Sequence, residues 1–396
     1  MGDTRIDIVA SRRFNARAME HKAGKSQTAS HERRATRYEN VSIIGDGGMG
    51  TVLAMLLCEK TEADGEQQVP MHRVRMWGYD GKQLAEIEKD RENKRFLPGY
   101  KLPASLEFEP DDEQIMQRVD LVVSAVPCQF IRGVWTRLKD RVPGGVPIVS
   151  VAKGIENGTL LRPTQIIAEI LASSCVVRGA GCEGQDTQYA IRDTRYAVLS
   201  GPTIADELAR RLPATACAAS NDARLARRIQ YTFNCPWLRV YTNTDIVGVE
   251  LASACKNIIA IAAGIIDGVG AGDNAKAALL TRGLAEITRL GVACGAKPQT
   301  FVGLTGMGDL VTTCISPTGR NRSFGERIGR GQSPQQAEEV THSVVEGIAT
   351  CKSVAALAER HRVEMPITQA VYQVLFEGKP VQTAIADLMK RRLKSE

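Results

Sequence analysis

The chain has ten cysteines among 396 residues, yet no two of them stand in C-x-x-C spacing. That absence argues against the common zinc and dithiol redox motifs. Cys58, Cys217, Cys255 and Cys294 sit beside Ala, Leu or Val, as buried thiols do, and a reducing, cytoplasmic setting is expected. Cys175 and Cys182 are near enough to meet in a loop, but their spacing is read as chance. No apolar run is expected to be long enough to cross a bilayer, and the N-terminal segment has no continuous apolar core of a secretory signal. There is no internal repeat and no sustained heptad, which sets aside solenoids and coiled coils. Nor is there a strong excess of charge on the body. Residues 1–39 hold nine Lys/Arg and five Asp/Glu, so +4 of the total +6 lies there and the rest of the chain carries +2. A nearly neutral body argues against nucleic acid as partner. The basic segment 1–39 is expected to be a disordered tail, its five acids arguing against a transit peptide.

What is present is an alternation of short apolar runs and helical patterns. Val41–Ile44, Val74–Trp77, Leu121–Val126 and Pro147–Val151 read as buried parallel strands, with helices over Thr51–Cys58, Gly81–Asp90 and Phe130–Leu138 between them. Tyr196–Leu199, Ala214–Ala219 and Leu238–Tyr241 read as further strands. This alternation predicts a doubly wound α/β domain. Glu59–His72 and Ser174–Thr194 lack apolar periodicity and are expected to be inserted loops. From about Thr244 long helical patterns dominate: Val247–Ile266, Asn274–Leu290, Pro298–Val302, Pro334–Glu338, Val345–His361 and Ile367–Phe376. The expected division is therefore a tail over 1–39, an α/β domain over 40–243 and a helical domain over 244–396.

Two features carry chemistry on their own terms. Gly45, Gly47 and Gly50 match G-x-G-x-x-G between a strand and a helix, the context in which a backbone turn and a free helix N-terminus accept a dinucleotide pyrophosphate. Asp80, at the end of the second strand, is placed to take ribose hydroxyls; an exposed turn aspartate is the alternative. Asp80 favours NAD over NADP, with Arg73 or Arg75 as possible offsets. The second feature is Lys256, the single charge between Leu251 and Ile266. A lysine there either snorkels to water or has a task, and desolvation lowers its pKa toward neutrality. Ser253, Lys256 and Asn257 share one helical face, which Ala260 and Gly264 extend with small side chains that would let another surface come close.

Further motifs sit at strand ends or helix starts. Lys153 follows the strand that ends near Val151. Gly201 follows another and can admit a ligand to the backbone, and Thr203 reads as a helix N-cap ahead of Asp206 and Glu207. Arg320 has the planar fork suited to phosphate, Asn321 lies beside it, and Asp309 can orient a hydroxyl or the lysine. Glu346 opens a helix, where a carboxylate suits the dipole.

The segments GDGGMG, VAKGIE, LSGPTIADELA, GVELASACKNIIAIAAGIIDGVG, ALLTRGLAEITRLG, GLTGMGDLVTTC, GRNRSFG, VVEG and VEMPITQAVYQVL occur in this order from about Asn40 to Leu388. Together they resemble the bacterial-type NAD(P)-dependent glycerol-3-phosphate dehydrogenases. The resemblance implies a Rossmann-type N-terminal domain and an all-helical C-terminal domain like that of phosphogluconate dehydrogenase. It implies reversible reduction of dihydroxyacetone phosphate to sn-glycerol 3-phosphate with NAD or NADP, feeding glycerophospholipid synthesis. It makes Lys256 the proton donor and acceptor and sets Lys153 between cofactor and substrate. It gives Gly201, Thr203, Asp309, Arg320 and Asn321 to the substrate. It gives Gly48, Met49, Tyr79, Ala205, Val344 and Glu346 to the cofactor, with Arg320 touching both ligands. No metal is needed and no metal-ligand spacing is present; helical domains of this kind often pair, which makes a homodimer possible, though the sequence does not show the oligomeric state. Gly319 stands where the family often has Ser or Thr, so one hydroxyl contact to the phosphate is missing or a backbone N–H replaces it. Two other readings remain at this point: another β-hydroxyacid-type dehydrogenase acting on phosphogluconate or ketopantoate, and a nucleotide sensor of the same fold without turnover.

Overall fold

The computed structural model describes residues 38–64, 67–178, 195–341 and 344–393. The apolar runs become the strands β1 (Glu39–Ile44), β4 (His72–Trp77), β5 (Glu107–Phe108), β6 (Leu121–Ser124), β7 (Ile148–Ser150), β8 (Tyr196–Ser200), β9 (Ala214–Ala219) and β10 (Leu238–Asn243), with a separate hairpin, β2 (Thr61–Asp64) and β3 (Gln67–Pro70). The eight strands form one sheet in the order β10-β9-β8-β7-β6-β1-β4-β5. Every neighbouring pair is parallel except β8 with β9. Strand order proceeds in opposite senses from β1, to β4 on one side and to β6 on the other, so the carboxyl ends of β1 and β6 enclose a crevice.

Several expectations change. The tail was expected to run to residue 39, but Glu39 opens β1 and pairs with Arg228 at 2.8 Å; residues 1–37 lie outside the described residues. Glu59–His72 is not a loop: it holds the antiparallel hairpin, with Thr61 opposite Pro70. Its strands are polar, so no apolar alternation announced them. The segment taken as an insertion from Ser174 begins inside a helix, Pro163–Arg178; residues 179–194, and with them any Cys175–Cys182 contact, lie outside the described residues. Helices Arg320–Gly329 and Val381–Met389 were not foreseen.

The long helix Ile246–Val269 also corrects the expectation about apolar length, since it is long and apolar enough to cross a membrane by composition. In this fold it is almost wholly buried at the centre of the helical layer. Helices Asp273–Ala293, Arg320–Gly329, Glu346–His361 and Pro366–Phe376 pack around it. A helix that is apolar on all sides needs such a complete jacket.

Its closest neighbour is Arg320–Gly329, and the approach is backbone to backbone. A Cβ added at Gly264 would lie 1.9 Å from the Arg322 carbonyl oxygen, and one at Gly268 would lie 2.3 Å from that of Glu326. From the other side, a Cβ at Gly325 would lie 2.0 Å from the Ile261 carbonyl oxygen and one at Gly329 2.4 Å from that of Ile265. Glycine recurs at i, i+4 on both helices, so the facing surfaces are flat. Beside this crossing, Arg322 and Lys276 both pair with Asp267 at 2.6 Å. Gly325→Ala is expected to force the helices apart and to lower stability by about 1–3 kcal/mol or more. A thermal melt with an unchanged midpoint would disprove this contact.

Candidate active site

Five strand ends converge on the site. Gly45 follows β1 with φ +117°, and a Cβ there would lie 2.8 Å from the Ala125 carbonyl oxygen, so only glycine fits. Gly47 is the N-cap of helix Gly48–Glu59 and has open space where a Cβ would be. No side chain caps that helix, so its first N–H groups remain for an anion. Gly50 is buried, and a Cβ there would collide with Gly45. A cleft of about 580 Å³ opens above this turn, and Gly45, Gly47, Gly48, Met49, Tyr79, Arg320, Val344 and Glu346 line it. These residues fit a dinucleotide: a free helix N-terminus for the pyrophosphate, an aromatic at the rim and a cation at the far end.

The remaining cofactor candidates lie around that cleft. Ala205 opens helix Ala205–Ala209, with its Cβ 3.8 Å from where Gly48 would carry one. Asp80 caps helix Gly81–Asp90, accepting from the Lys82 N–H at 2.9 Å. Its carboxylate is thus occupied as the exposed-turn alternative has it. Arg73 pairs with Glu107 at 2.8 Å, and Arg75 donates to the Gln114 carbonyl at 2.6 Å, so neither is directed at a phosphate. Val344 accepts from Arg320 at 3.0 Å through its carbonyl oxygen.

Deeper in, Lys153 at the end of β7 and Lys256 on the long helix meet one carboxylate. Lys256 Nζ lies 2.6 Å from Asp309 Oδ1, and Lys153 Nζ lies 2.8 Å from Asp309 Oδ2. Lys256 does not snorkel: it is 4% exposed and Asp309 2%. Lys256 also donates to Thr313 Oγ1. Asp309 follows a single π-helical turn, Leu304–Gly308, which re-aims the chain at this point. Burial drives the Lys256 ammonium down to about 8; Asp309 opposes that fall and Lys153 adds to it. Burial works against ionised Asp309, but the two ammonium groups outweigh it and hold the carboxyl below its ordinary range.

Around this centre stand the other substrate candidates. The Gly201 carbonyl accepts from Lys153 at 3.4 Å and from Thr203 Oγ1 at 3.2 Å. Thr203 is therefore not an N-cap; Ile204 holds that position and no side chain caps the short helix. Arg320 and Asn321 open helix Arg320–Gly329, whose N-cap is Gly319 and which also has no side-chain cap. Asn321 Oδ1 accepts from the Gly347 N–H at 2.9 Å. Of the shared helical face, Ser253 turns inward to the Glu250 carbonyl at 3.0 Å. Asn257 behaves differently: among the described residues its Nδ2 is buried without a partner, as is Ser200 Oγ. Buried polar groups are nearly always bonded, so these two are the strongest signs of a missing polar ligand. In the sequence, the one signal for either is the position of Asn257 beside Lys256.

A family model described as the NAD-dependent glycerol-3-phosphate dehydrogenase N-terminus matches residues 40–182, and one described as the C-terminus of the same enzyme matches residues 245–386. A glycerol-3-phosphate dehydrogenase [NAD(P)+] of Chlorobium phaeobacteroides (strain BS1) is 43% identical over 356 residues, covering 90% of this chain and 98% of its own. That of Geobacter sp. (strain M21) is 43% identical over 358 residues, covering 90% and 99%. The crystal structure of glycerol-3-phosphate dehydrogenase from Coxiella burnetii superposes with a TM-score of 0.79 at 34% identity, covering 89% of this chain and 99% of that one. With both halves matched and relatives 43% identical over nearly their whole length, the chain belongs to the NAD-dependent glycerol-3-phosphate dehydrogenase family.

Proposed function

We propose that the Lys153–Asp309–Lys256 cluster is the proton-handling centre of a glycerol-3-phosphate dehydrogenase that interconverts dihydroxyacetone phosphate and sn-glycerol 3-phosphate. The observation that carries this reading is a buried lysine brought close to neutrality beside a nucleotide-sized cleft. NAD(P)H, when bound, supplies the hydride that the C2 carbonyl receives. As charge grows on the carbonyl oxygen, protonated Lys256 stabilises it and then yields its proton. In the reverse direction neutral Lys256 takes the proton of the C2 hydroxyl. Asp309 keeps Lys256 charged and in place, and Lys153 balances the carboxylate from the sheet side.

Arg320 and the uncapped N-terminus beginning at Gly319 hold the phosphate, the part of the substrate that does not react, and so orient the carbonyl. Asn257 Nδ2 donates to a substrate oxygen. Residues 40–243 act as the nucleotide-binding lobe and 244–396 supply Lys256, Asp309 and Arg320. The product feeds glycerophospholipid synthesis.

The reaction direction fixes the sign of the pH dependence. Ketone reduction needs the ammonium form, so its rate is expected to hold below pH 8 and decline above it; alcohol oxidation is expected to rise over the same range. Asp309→Asn removes the charge that supports the ammonium, so the alkaline limb of reduction should move to lower pH. A limb that stays in place in steady-state pH profiles would refute the coupling. Lys256→Met should retain NADH binding by fluorescence titration while turnover falls by about 10²–10⁴-fold; near-normal turnover would remove Lys256 from the chemistry. Arg320→Ala should raise KM for dihydroxyacetone phosphate by about 10–100-fold, the value of a charge-assisted bond. An equal loss on a phosphate-free ketone would point to a role elsewhere.

A further inference from the structure

Asp46 occupies the first variable position of the Gly45-Asp46-Gly47 turn, and the mechanism above makes no use of it. Its Cγ and Oδ2 lie 3.0 Å from where Gly78 would carry a Cβ, so the carboxylate rests on the backbone at the end of β4. Three hydrogen bonds fasten this place. Gln83 Nε2 donates to Asp46 Oδ2 at 2.8 Å, Asn93 Nδ2 donates to the Asp46 carbonyl at 2.7 Å, and the Gly45 N–H donates to the Trp77 carbonyl at 2.9 Å. Asp46 lines the cleft between Gly47 on one side and Trp77 and Tyr79 on the other. In a strand–turn–helix nucleotide site, the adenosine ribose rests in this gap between the glycine turn and the second strand.

The carboxylate oxygens have different situations. Oδ2 is held by Gln83, whereas Oδ1 receives no side-chain hydrogen bond among the described residues. Asp80, the acid at the end of the strand, is already engaged by the N–H groups of Lys82 and Gln83. The neighbouring cations are engaged as well. Arg137 lies over the Tyr79 ring at 5.6 Å but pairs with Asp112 at 2.6 Å. Arg95 donates to Gln83 Oε1 at 2.8 Å and lies over Phe96. Arg73 and Arg75 are committed to Glu107 and to backbone carbonyls.

We propose that Asp46 is the group that accepts the adenosine ribose hydroxyls and excludes a 2′-phosphate, making this chain selective for NAD(H) over NADP(H). This rests on the cleft being the nucleotide site. A carboxylate accepts from a ribose hydroxyl without strain. A 2′-phosphate at the same place would set two anions together in a partly buried position, and the nearby Arg95 guanidinium is turned to the Gln83 amide oxygen and the Phe96 ring. Burial pushes the Asp46 carboxyl up from its ordinary value, with Asp80 adding to the rise and Gln83 and Arg95 opposing it.

Calorimetric titration with ADP-ribose and with its 2′-phosphate tests this without turnover. The wild-type chain is expected to bind ADP-ribose at least about tenfold more tightly than the 2′-phosphate. In Asp46→Asn, which keeps the shape and the Gln83 contact, that ratio should shrink to threefold or less, mainly through gained affinity for the 2′-phosphate. Asp46→Ser should act the same way and serves if the first variant does not fold. Asp80→Asn should change the ratio less than twofold. Equal affinity of the wild type for both probes, an unchanged ratio in both Asp46 variants, or collapse of the ratio in Asp80→Asn would overturn the proposal while leaving the cleft as the nucleotide site. Binding of neither probe would refute the cleft itself, and the proposal with it.

Discussion

Lys153 reaches Asp309 from the carboxyl end of β7 and Lys256 reaches it from the long apolar helix, so one buried carboxylate joins the sheet to the helical layer. Three ionised groups in such a place would each be expensive alone. Alternating in sign, they compensate one another and leave a net charge of +1, which suits a phosphate-bearing substrate. The same arrangement explains why a charged residue is tolerated in the middle of a helix with no other charge on sixteen residues from Leu251 to Ile266. A second buried carboxylate, Glu250, fastens the start of that helix to the α/β layer by accepting from the Thr164 N–H and hydroxyl, each at 2.8 Å, and from Arg162. Between Glu250 and Asp309 the helix is held along both axis and rotation, so the Lys256 amine has a defined position before any ligand arrives.

Two helix starts that line the cleft are left without a capping side chain. The helices beginning at Gly48 and Arg320 both have a glycine N-cap and no capping side chain. Asp80, Asp222, Asp245 and Ser333, by contrast, each accept from the first turn of the helix they precede.

The parts of this design that were legible in the sequence are those where one residue type has only one physical use. Gly45 is required by a positive φ and a neighbouring carbonyl, and the isolated charge of Lys256 marks a buried amine. The parallel strands were legible because burial on both faces leaves continuous Val, Ile and Leu. The hairpin from Thr61 to Pro70 was not, because its strands are polar and carry no alternation. Thr203 and Asp80 show the limit of capping rules. Each stands just before a helix, yet only Asp80 caps; Thr203 turns back to Gly201. Asn257 was seen as a neighbour of Lys256, but an unpartnered amide becomes visible only when the surrounding side chains are in place. The long helix was expected over Val247–Ile266 and runs Ile246–Val269; the charges of Glu250 and Asp267 that interrupt its apolar run are buried or paired within it.

The crossing of Ile246–Val269 with Arg320–Gly329 has a bearing on how substrates can diverge. The two helices bring Lys256 and Arg320 to the site, and main chain abuts main chain where they meet. The span between these two groups therefore works as a fixed gauge, set by peptide geometry and not by the size of any side chain. Drift at single positions along the crossing cannot lengthen or shorten it by small steps. A descendant that accepted a longer phosphorylated ketone would have to find the extra room in the segment between Asp309 and Arg320, leaving the gauge itself untouched.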